Sequence, residues 1–133
     1  MEEAPVILIV DDDASVRAAI ASLVESAGFE SETFASAEEF LSSGPGPDCT
    51  CLILDVKMPG MNGLELQRRL LAHNLQIPII FISAHADAEV RARALQAGAI
   101  AFFHKPFGSA ALLEAIDRAI DRAQASRGED AGQ

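Results

Sequence analysis

Residues 6–13 read VILIVDDD, a run of five aliphatic residues that ends abruptly in three aspartates. A continuous apolar run of this length is typical of a β-strand that is buried on both faces. Strands of this kind occur in parallel sheets that are covered by helices on both sides. The stretch therefore predicts a first strand over Val6–Val10, with acidic side chains at its carboxyl end.

Downstream of this strand, the hydrophobic pattern alternates between helical and strand-like periods. Apolar residues from Val16 to Ala27 recur every three or four positions, which indicates one buried helix face, and Gly28 is typical of the residue that ends a helix. Residues 30–34 are more polar, as in a strand near a sheet edge. The predicted strands are 6–10, 30–34, 51–54, 78–82 and 100–103, and the predicted helices are 14–27, 36–41, 64–74, 87–97 and one marked by apolar residues from 112 to 120.

Five β–α units in succession predict a single α/β domain with a doubly wound, five-stranded parallel sheet. We expect this domain to span residues 1–125, with a loop over 42–48 and a flexible polar tail over 126–133. Right-handed crossovers place the carboxyl ends of all strands at one edge, and sheets of this type bind their ligands at that edge.

The composition excludes several classes of function. Of the 133 residues, 50% are hydrophobic and 23% are charged, which is typical of one globular domain with a sizeable core. Ten Lys and Arg against twenty Asp and Glu give a net charge of −10. A chain this acidic lacks the basic face with which proteins hold nucleic-acid phosphates or anionic lipids. We therefore expect neither a nucleic acid nor a membrane as its partner.

The sequence also predicts a cytoplasmic location. Its amino terminus is acidic and is followed by only five apolar residues, so we expect no signal peptide. No apolar run approaches the ~20 residues of a membrane span. Cys49 and Cys51 are the only cysteines of the sequence and lie beside a predicted strand, and we expect both to remain reduced rather than to form a disulfide.

Polar and charged side chains follow four of the five predicted strands. Asp11 and Asp12 follow the first strand, Asp55 the third, Ser83 the fourth and Lys105 the fifth. Clustered carboxylates repel one another unless a cation intervenes, and an all-oxygen ligand set suits Mg²⁺. A carboxylate beside such a cation and a lysine can act as a nucleophile toward phosphorus. The pattern therefore predicts a magnesium-dependent phosphoryl site.

Each of these residues also has an ordinary structural interpretation when it is taken alone. The three aspartates could cap the helix that follows them, and Asp13 lies nearest to that helix. Ser83 could be a turn residue, and Lys105 could be a solvated surface charge. Their shared position at strand carboxyl ends favours a common site over separate coincidences.

The same residues resemble the receiver domain of two-component response regulators. The resemblance covers residues 5–124 and rests on a set of short segments in a fixed order. These segments are 10–12 (VDD), 55–63 (DVKMPGMNG), 82–84 (ISA) and 105–107 (KPF). The resemblance implies a flavodoxin-like receiver fold and a phosphorylation-activated signalling switch rather than an enzyme.

The resemblance also implies a role for each site residue. Asp55 corresponds to the phosphoacceptor, and Lys105 to the lysine that pairs with the phosphoryl oxygens. The bond from Lys105 to Pro106 would be cis, which aims the lysine. The implied Mg²⁺ ligands are Asp11, Asp12, Asp55 and the backbone carbonyl of Lys57.

Two further residues correspond to the family's switch. Ser83 matches the hydroxyl residue that moves to the phosphoryl group, where many receivers carry Thr. Phe102 matches the aromatic residue that then packs inward. Many receivers carry Tyr at that position, and Phe102 lacks the hydroxyl that would pin the outward state. The surface formed by the fourth helix, the fifth strand and the fifth helix would report the change.

The implied partners are a sensor histidine kinase or a histidine phosphotransfer protein, with a phosphorylation-linked homodimer as a further candidate. An Ala stripe at Ala115, Ala119 and Ala123 fits either a dimer contact or core packing. Too few residues follow Ala125 for an output domain. The sequence thus leaves open whether the domain acts by protein contact alone or heads a longer regulator.

Two other functions compete with a phosphorylation switch. A phosphohydrolase could use Asp55 as a nucleophile on small phosphate esters. Such enzymes typically carry a second acid two residues later, where this chain has Lys57. An interaction module with the same fold could also work without phosphate, although it would have no need for the complete set of site residues.

Overall fold

Strands and helices alternate along the whole of the computed structural model, which describes residues 5–43, 49–85 and 87–131. The strands are β1 (Val6–Val10), β2 (Glu30–Phe34), β3 (Cys49–Asp55), β4 (Ile79–Ser83) and β5 (Ala101–His104). The helices are α1 (Ala14–Ser26), α2 (Ala37–Ser43), α3 (Gly63–Ala72), α4 (Ala88–Gln96) and α5 (Ser109–Ala131).

The five strands form one parallel sheet in the order β2-β1-β3-β4-β5. The predicted fold class is therefore confirmed, including the edge position of the polar strand β2. The strand order reverses between β1 and β3, because the chain first adds β2 on one side of β1 and then continues on the other. Asp11 and Asp55 lie at the carboxyl ends of these two strands, where doubly wound sheets bind their ligands.

Successive residues of the central strands pack on opposite sides of the sheet, as the pleat of a strand requires. One side, covered by α2, α3 and α4, buries Leu8, Val10, Phe40, Leu52, Leu54, Leu66, Leu70, Phe81 and Ala94. The other side, covered by α1 and α5, buries Ile7, Ile9, Ile20, Val24, Ile53, Ile80, Ile82, Leu112, Ala115, Ile116 and Ala119. Ala115 and Ala119 are thus part of the core, so core packing rather than a dimer contact explains the Ala stripe at these two positions.

Side-chain caps start the helices at the carboxyl edge of the sheet. The Asp13 carboxylate accepts hydrogen bonds from the backbone N–H of Ser15, at 2.8 Å, and of Val16. Asp13 is thus the helix cap that the sequence predicts. Asn62 and Glu65 form a reciprocal capping box at the start of α3, one residue before the predicted start. These caps satisfy N–H groups that a helix leaves without partners in its first turn.

Three predicted boundaries are wrong by two residues, and several others are wrong by one. Helix α2 runs to Ser43, so the predicted loop over 42–48 begins later, and its residues 44–48 lie outside the described residues. Strand β3 begins at Cys49, two residues early, because Val6 of β1 pairs with it there. Helix α3 ends at Ala72 rather than at position 74, since Asn74 adopts a left-handed conformation (φ 58°) that ends a helix.

The last helix is longer than the sequence predicts. Helix α5 continues to Ala131, past the predicted start of a polar tail at residue 126, and positions 132–133 lie outside the described residues. Half of residues 126–131 (Arg127, Glu129 and Ala131) are good helix formers, and the single glycine of this segment, Gly128, opposes the helix by only about 1 kcal/mol. Among the described helices, none combines the length and the apolar character that a membrane crossing requires.

The burial of β3 predicts the effect of truncating one of its side chains. Ile53 is fully buried, so Ile53→Ala should lower the free energy of unfolding by about 2–5 kcal/mol. Leu95→Ala, on the exposed side of α4, should lower it by less than about 1 kcal/mol. Urea unfolding followed by far-UV circular dichroism measures both, since the chain has no Trp or Tyr. Equal losses would contradict the central position of β3.

Candidate functional site

The carboxyl edge of the sheet brings together the charged residues that follow β1, β3 and β5. The Lys105 Nζ lies 2.9 Å from Asp11 Oδ2 and 3.6 Å from Asp55 Oδ1. Asp11 and Asp55 are buried, at 0% and 4% exposure, while Asp12 faces solvent. The lysine therefore spans the two buried carboxylates.

Three carboxylates form what we call the acidic cluster (Asp11, Asp12 and Asp55). One oxygen from each can be chosen so that all three lie within 4.8 Å of one another. Carboxylate oxygens at this spacing suit a hard divalent cation such as Mg²⁺. The single positive charge of Lys105 leaves three carboxylates undercompensated. The donor set and its charge therefore fit the Mg²⁺ that the sequence predicts.

Backbone and side-chain donors hold Asp11 in place. Its Oδ1 accepts a hydrogen bond from the Asp13 N–H at 2.8 Å, and its backbone carbonyl accepts one from the Arg17 guanidinium at 2.6 Å. Arg17 lies one turn into α1 and is half-buried. Sequence reasoning missed this residue, because an Arg on a helix gives no signal of a backbone partner six residues earlier.

The electrostatic environment raises the pKa of Asp55 to about 7. Burial is the largest cause, because it disfavours the charged carboxylate, and the negative charge of Asp11 acts in the same direction. Lys105 opposes the shift, and Asp12 adds to it. A cation beside these oxygens would favour the ionised form of Asp55.

Lys105 stays protonated at neutral pH. Burial favours the neutral amine, but the hydrogen bond to Asp11 and the charges of Asp55 and Asp11 outweigh it, so the pKa of Lys105 rises above its ordinary value. The Lys105–Pro106 peptide bond is cis, as the resemblance implies. The backbone N–H of Lys105 also donates to the Ser83 carbonyl at 2.7 Å, which joins the ends of β4 and β5.

Ser83 is buried at the end of β4, and both hydrogen bonds of its hydroxyl go to His85. The Oγ donates to the His85 carbonyl at 3.0 Å and accepts from the His85 N–H at 3.1 Å. The hydroxyl thus closes a tight turn at the start of the β4–α4 loop. Because the hydroxyl has one proton, donation to a group on Asp55 would require it to give up its bond to the His85 carbonyl.

Phe102 lies in β5 on the side of the sheet that α4 covers. It is half-buried, and its ring centroid lies 6.1 Å from that of Phe81. Lys57, two residues after Asp55, has an exposed side chain. Its backbone carbonyl as an Mg²⁺ ligand stays a prediction.

Sequence reasoning also missed the importance of Gly63. It is the first residue of α3, and a Cβ there would overlap the backbone oxygen of Asp55 and lie 3.1 Å from Val56 Cα. Only glycine lets the helix start this close to the candidate phosphoacceptor. Its position at the end of a Gly- and Pro-containing turn hid this role, because such glycines usually serve the turn itself.

The raised pKa of Asp55 predicts a pH-dependent gain in stability for Asp55→Asn. The unfolded pKa is near 3.8 and the folded pKa about 7, so the ionised carboxylate destabilises the folded state fully above pH 7. At pH 8 with excess EDTA, the variant should be more stable by roughly 2–4 kcal/mol. The gain should fade as the pH falls from 7 toward 4, where both states of the wild type bind the proton.

Urea unfolding across this pH range measures the gain, and Asp117→Asn provides a matched control on the exposed side of α5. Excess Mg²⁺ should stabilise the wild type more than Asp55→Asn, which lacks one of the three carboxylates of the acidic cluster. A pH-independent difference between wild type and Asp55→Asn would contradict the shifted pKa.

Comparison with known proteins places this geometry in a family. The sequence model of the response regulator receiver domain matches residues 7–117. The response regulator protein TodT of Pseudomonas putida is 48% identical over 126 residues, which cover 95% of this chain and 56% of TodT. The chain thus spans little more than half the length of this curated relative.

Solved structures agree with the sequence match. The structure of the response regulator StyR is 47% identical, with a TM-score of 0.85, over 96% of this chain and 67% of that one. The structure titled FixJ-N is 37% identical, with a TM-score of 0.80, over 91% of this chain and 96% of that one. With its acidic cluster, its lysine and its parallel sheet, the chain belongs to the response regulator receiver domain family of two-component signalling proteins.

Proposed function

We propose that this domain is a cytoplasmic switch that accepts a phosphoryl group on Asp55 from a phosphohistidine of a sensor histidine kinase or a histidine phosphotransfer protein. Receiver domains take phosphoryl groups from histidine kinases and generally bind Mg²⁺. The observation that carries the proposal is the Lys105 ammonium between the carboxylates of Asp11 and Asp55. This arrangement places a nucleophile, the Asp55 carboxylate, and a phosphate-binding cation, the Lys105 ammonium, at the same sheet edge.

The transfer exchanges one bond to phosphorus for another. An oxygen of Asp55 forms an O–P bond while the N–P bond of the donor phosphohistidine breaks. The imidazole nitrogen leaves with the bonding electrons and is protonated. Lys105 pairs with the phosphoryl oxygens, which carry the charge of the transition state. Bound Mg²⁺ would supply further charge neutralisation, and Asp11, Asp12 and Asp55 would hold it, with the Lys57 carbonyl as a fourth ligand.

Ser83 and Phe102 are the proposed link to the rest of the domain. A phosphoryl group on Asp55 offers Ser83 a charged acceptor in place of the His85 carbonyl. If the hydroxyl moves to it, the turn at the start of the β4–α4 loop opens and Phe102 gains space to pack inward. The phosphoryl group thereby shifts an equilibrium between two arrangements of this loop.

The proposed output surface is formed by α4, β5 and α5. A downstream protein or a second copy of this domain would bind it after phosphorylation. Ala115 and Ala119 are buried against the sheet, so a dimer contact on α5 would use other residues. The net charge of −10 makes a protein rather than a nucleic acid the proposed partner of this domain.

Phosphorylation of the isolated domain by acetyl phosphate tests the acceptor directly. Intact mass spectrometry should detect one added phosphoryl group on the wild type with Mg²⁺, and none on Asp55→Asn or with EDTA. Asp117→Asn should be labelled like the wild type. Labelling of Asp55→Asn at the same site would contradict the assignment. Sustained hydrolysis of a chromogenic phosphate ester would instead favour a phosphohydrolase.

Removal of the Ser83 hydroxyl should uncouple phosphorylation from the response of α4 and β5. We expect Ser83→Ala to accept a phosphoryl group on Asp55 but to lose the bias of about 1.5–3 kcal/mol that phosphorylation adds toward the activated arrangement, the contribution of one hydrogen bond to a charged group. NMR chemical-shift changes in β5 upon addition of beryllofluoride measure the response. Ser26→Ala, whose hydroxyl donates to Leu23 far from the site, is the control. An unchanged response in Ser83→Ala would overturn its role.

A further inference from the structure

Glu38, in the first turn of α2, reaches the loop that connects β3 to α3. Its Oε2 accepts a hydrogen bond from the Met61 backbone N–H at 2.9 Å, across 23 residues of sequence. This loop begins directly after Asp55 and Val56. The contact therefore links a helix outside the acidic cluster to the segment that follows the candidate phosphoacceptor.

The backbone of Gly60 is shaped to let the carboxylate approach. Gly60 has a φ of 78°, and a Cβ at this position would lie 2.6 Å from Glu38 Oε2. Any other residue at position 60 would be strained by this φ and would push the carboxylate away. The glycine and the glutamate thus form one structural unit.

The charge of Glu38 strengthens the contact. The Met61 N–H lowers the pKa of Glu38, and the nearby Arg69 of α3 acts in the same direction. The carboxylate is therefore ionised at neutral pH, and its bond to the loop is charge-assisted.

The other end of the loop is fixed by the sheet and by α3. The Val56 N–H donates to the Ile82 carbonyl at 3.2 Å, and the Gly63 N–H donates to the Val56 carbonyl at 2.8 Å. Lys57 and Met58 lie in the loop between Val56 and Met61. The side chain of Met58 is buried. The Asn62–Glu65 capping box holds the α3 end of the loop, and the Met61 side chain packs against the core. Loss of the Glu38 contact would remove the bond that fixes the Met61 backbone N–H between these anchors.

We propose that Glu38 is a positioning residue that holds the β3–α3 loop, and with it the Lys57 carbonyl, in the arrangement that binds Mg²⁺. This inference rests on the proposed function, because it takes the Lys57 carbonyl as an Mg²⁺ ligand. Glu38 itself touches neither the acidic cluster nor a ligand; it acts through the backbone of Met61.

Glu39 provides a matched control in the same helix turn. It is also exposed, and its Oε2 accepts a hydrogen bond from the Ala35 N–H at 3.1 Å, while its own N–H donates to Ser36 Oγ. Glu39→Ala therefore removes a carboxylate and a helix-start contact of α2 without affecting the β3–α3 loop. Its effect measures what destabilising α2 does to the site.

The test measures Mg²⁺ affinity by isothermal titration calorimetry for the wild type, Glu38→Ala, Glu38→Gln and Glu39→Ala. Loss of a residue that hydrogen-bonds directly to a metal ligand typically changes metal affinity by about 10–100-fold. Glu38 bonds to Met61 rather than to a proposed ligand, so its effect should be smaller. We expect Glu38→Ala to raise the Mg²⁺ dissociation constant about 3- to 10-fold. Glu38→Gln keeps an acceptor oxygen and should recover most of the loss, and Glu39→Ala should match the wild type.

Hydrogen exchange of the Met61 amide, measured by NMR without Mg²⁺, provides a readout that does not depend on the metal. Exchange should be faster in Glu38→Ala than in the wild type or Glu39→Ala. Equal Mg²⁺ affinities of Glu38→Ala and Glu39→Ala, with normal binding by the wild type, would overturn this inference alone. A wild type that binds no Mg²⁺ and accepts no phosphoryl group would overturn the proposed function and this inference with it.

Discussion

The burial of mutually repelling carboxylates in the acidic cluster is the constraint on which the rest of the site depends. Asp11 and Asp55 are both buried, and their carboxylates share a single ammonium group from Lys105. Burial, which disfavours the charged carboxylate, is the largest cause that raises the pKa of Asp55 to about 7, and the negative charge of Asp11 acts in the same direction. A divalent cation or a transferred phosphoryl group alters this balance directly. The unfavourable burial of carboxylate charge, which we expect to lower the stability of the metal-free domain, would therefore also make the site respond to a cation or a phosphoryl group.

The parallel sheet explains how this repulsion is maintained. Asp11 and Asp55 end adjacent strands, and the hydrogen bonds between β1 and β3 prevent them from moving apart. Lys105 is held by its N–H bond to the Ser83 carbonyl, so the groups that would feel a phosphoryl charge are joined through one sheet edge. Rigid strands fix the charges, and the loops that follow them are the parts free to respond.

The sequence predicts the strand ends well, because each buried strand is a short apolar run with a polar stop. Asp11, Asp55, Ser83 and Lys105 all lie at the predicted edge for this reason. The errors fall where long-range contacts decide. The early start of β3 follows from pairing with Val6, and the contact between Glu38 and Met61 joins residues 23 positions apart. Neither leaves a local pattern, whereas the capping box from Asn62 to Glu65 does, and it could have placed the start of α3 correctly.

The hydrogen bonds of Ser83 set the scale of the proposed switch. Donation of the Ser83 hydroxyl to the His85 carbonyl contributes about 0.5–1.5 kcal/mol, whereas donation to a charged phosphoryl oxygen would contribute about 1.5–3 kcal/mol. The proposed exchange would therefore favour the phosphorylated arrangement by only about 1–2 kcal/mol. Phe102 is half-buried and its ring packs beside Phe81, so in the proposed switch its position would depend on packing rather than on a hydrogen bond. In the proposed switch, the charge at Asp55 would determine which arrangement is favoured, and packing at β5 would determine how far apart the two arrangements are in free energy.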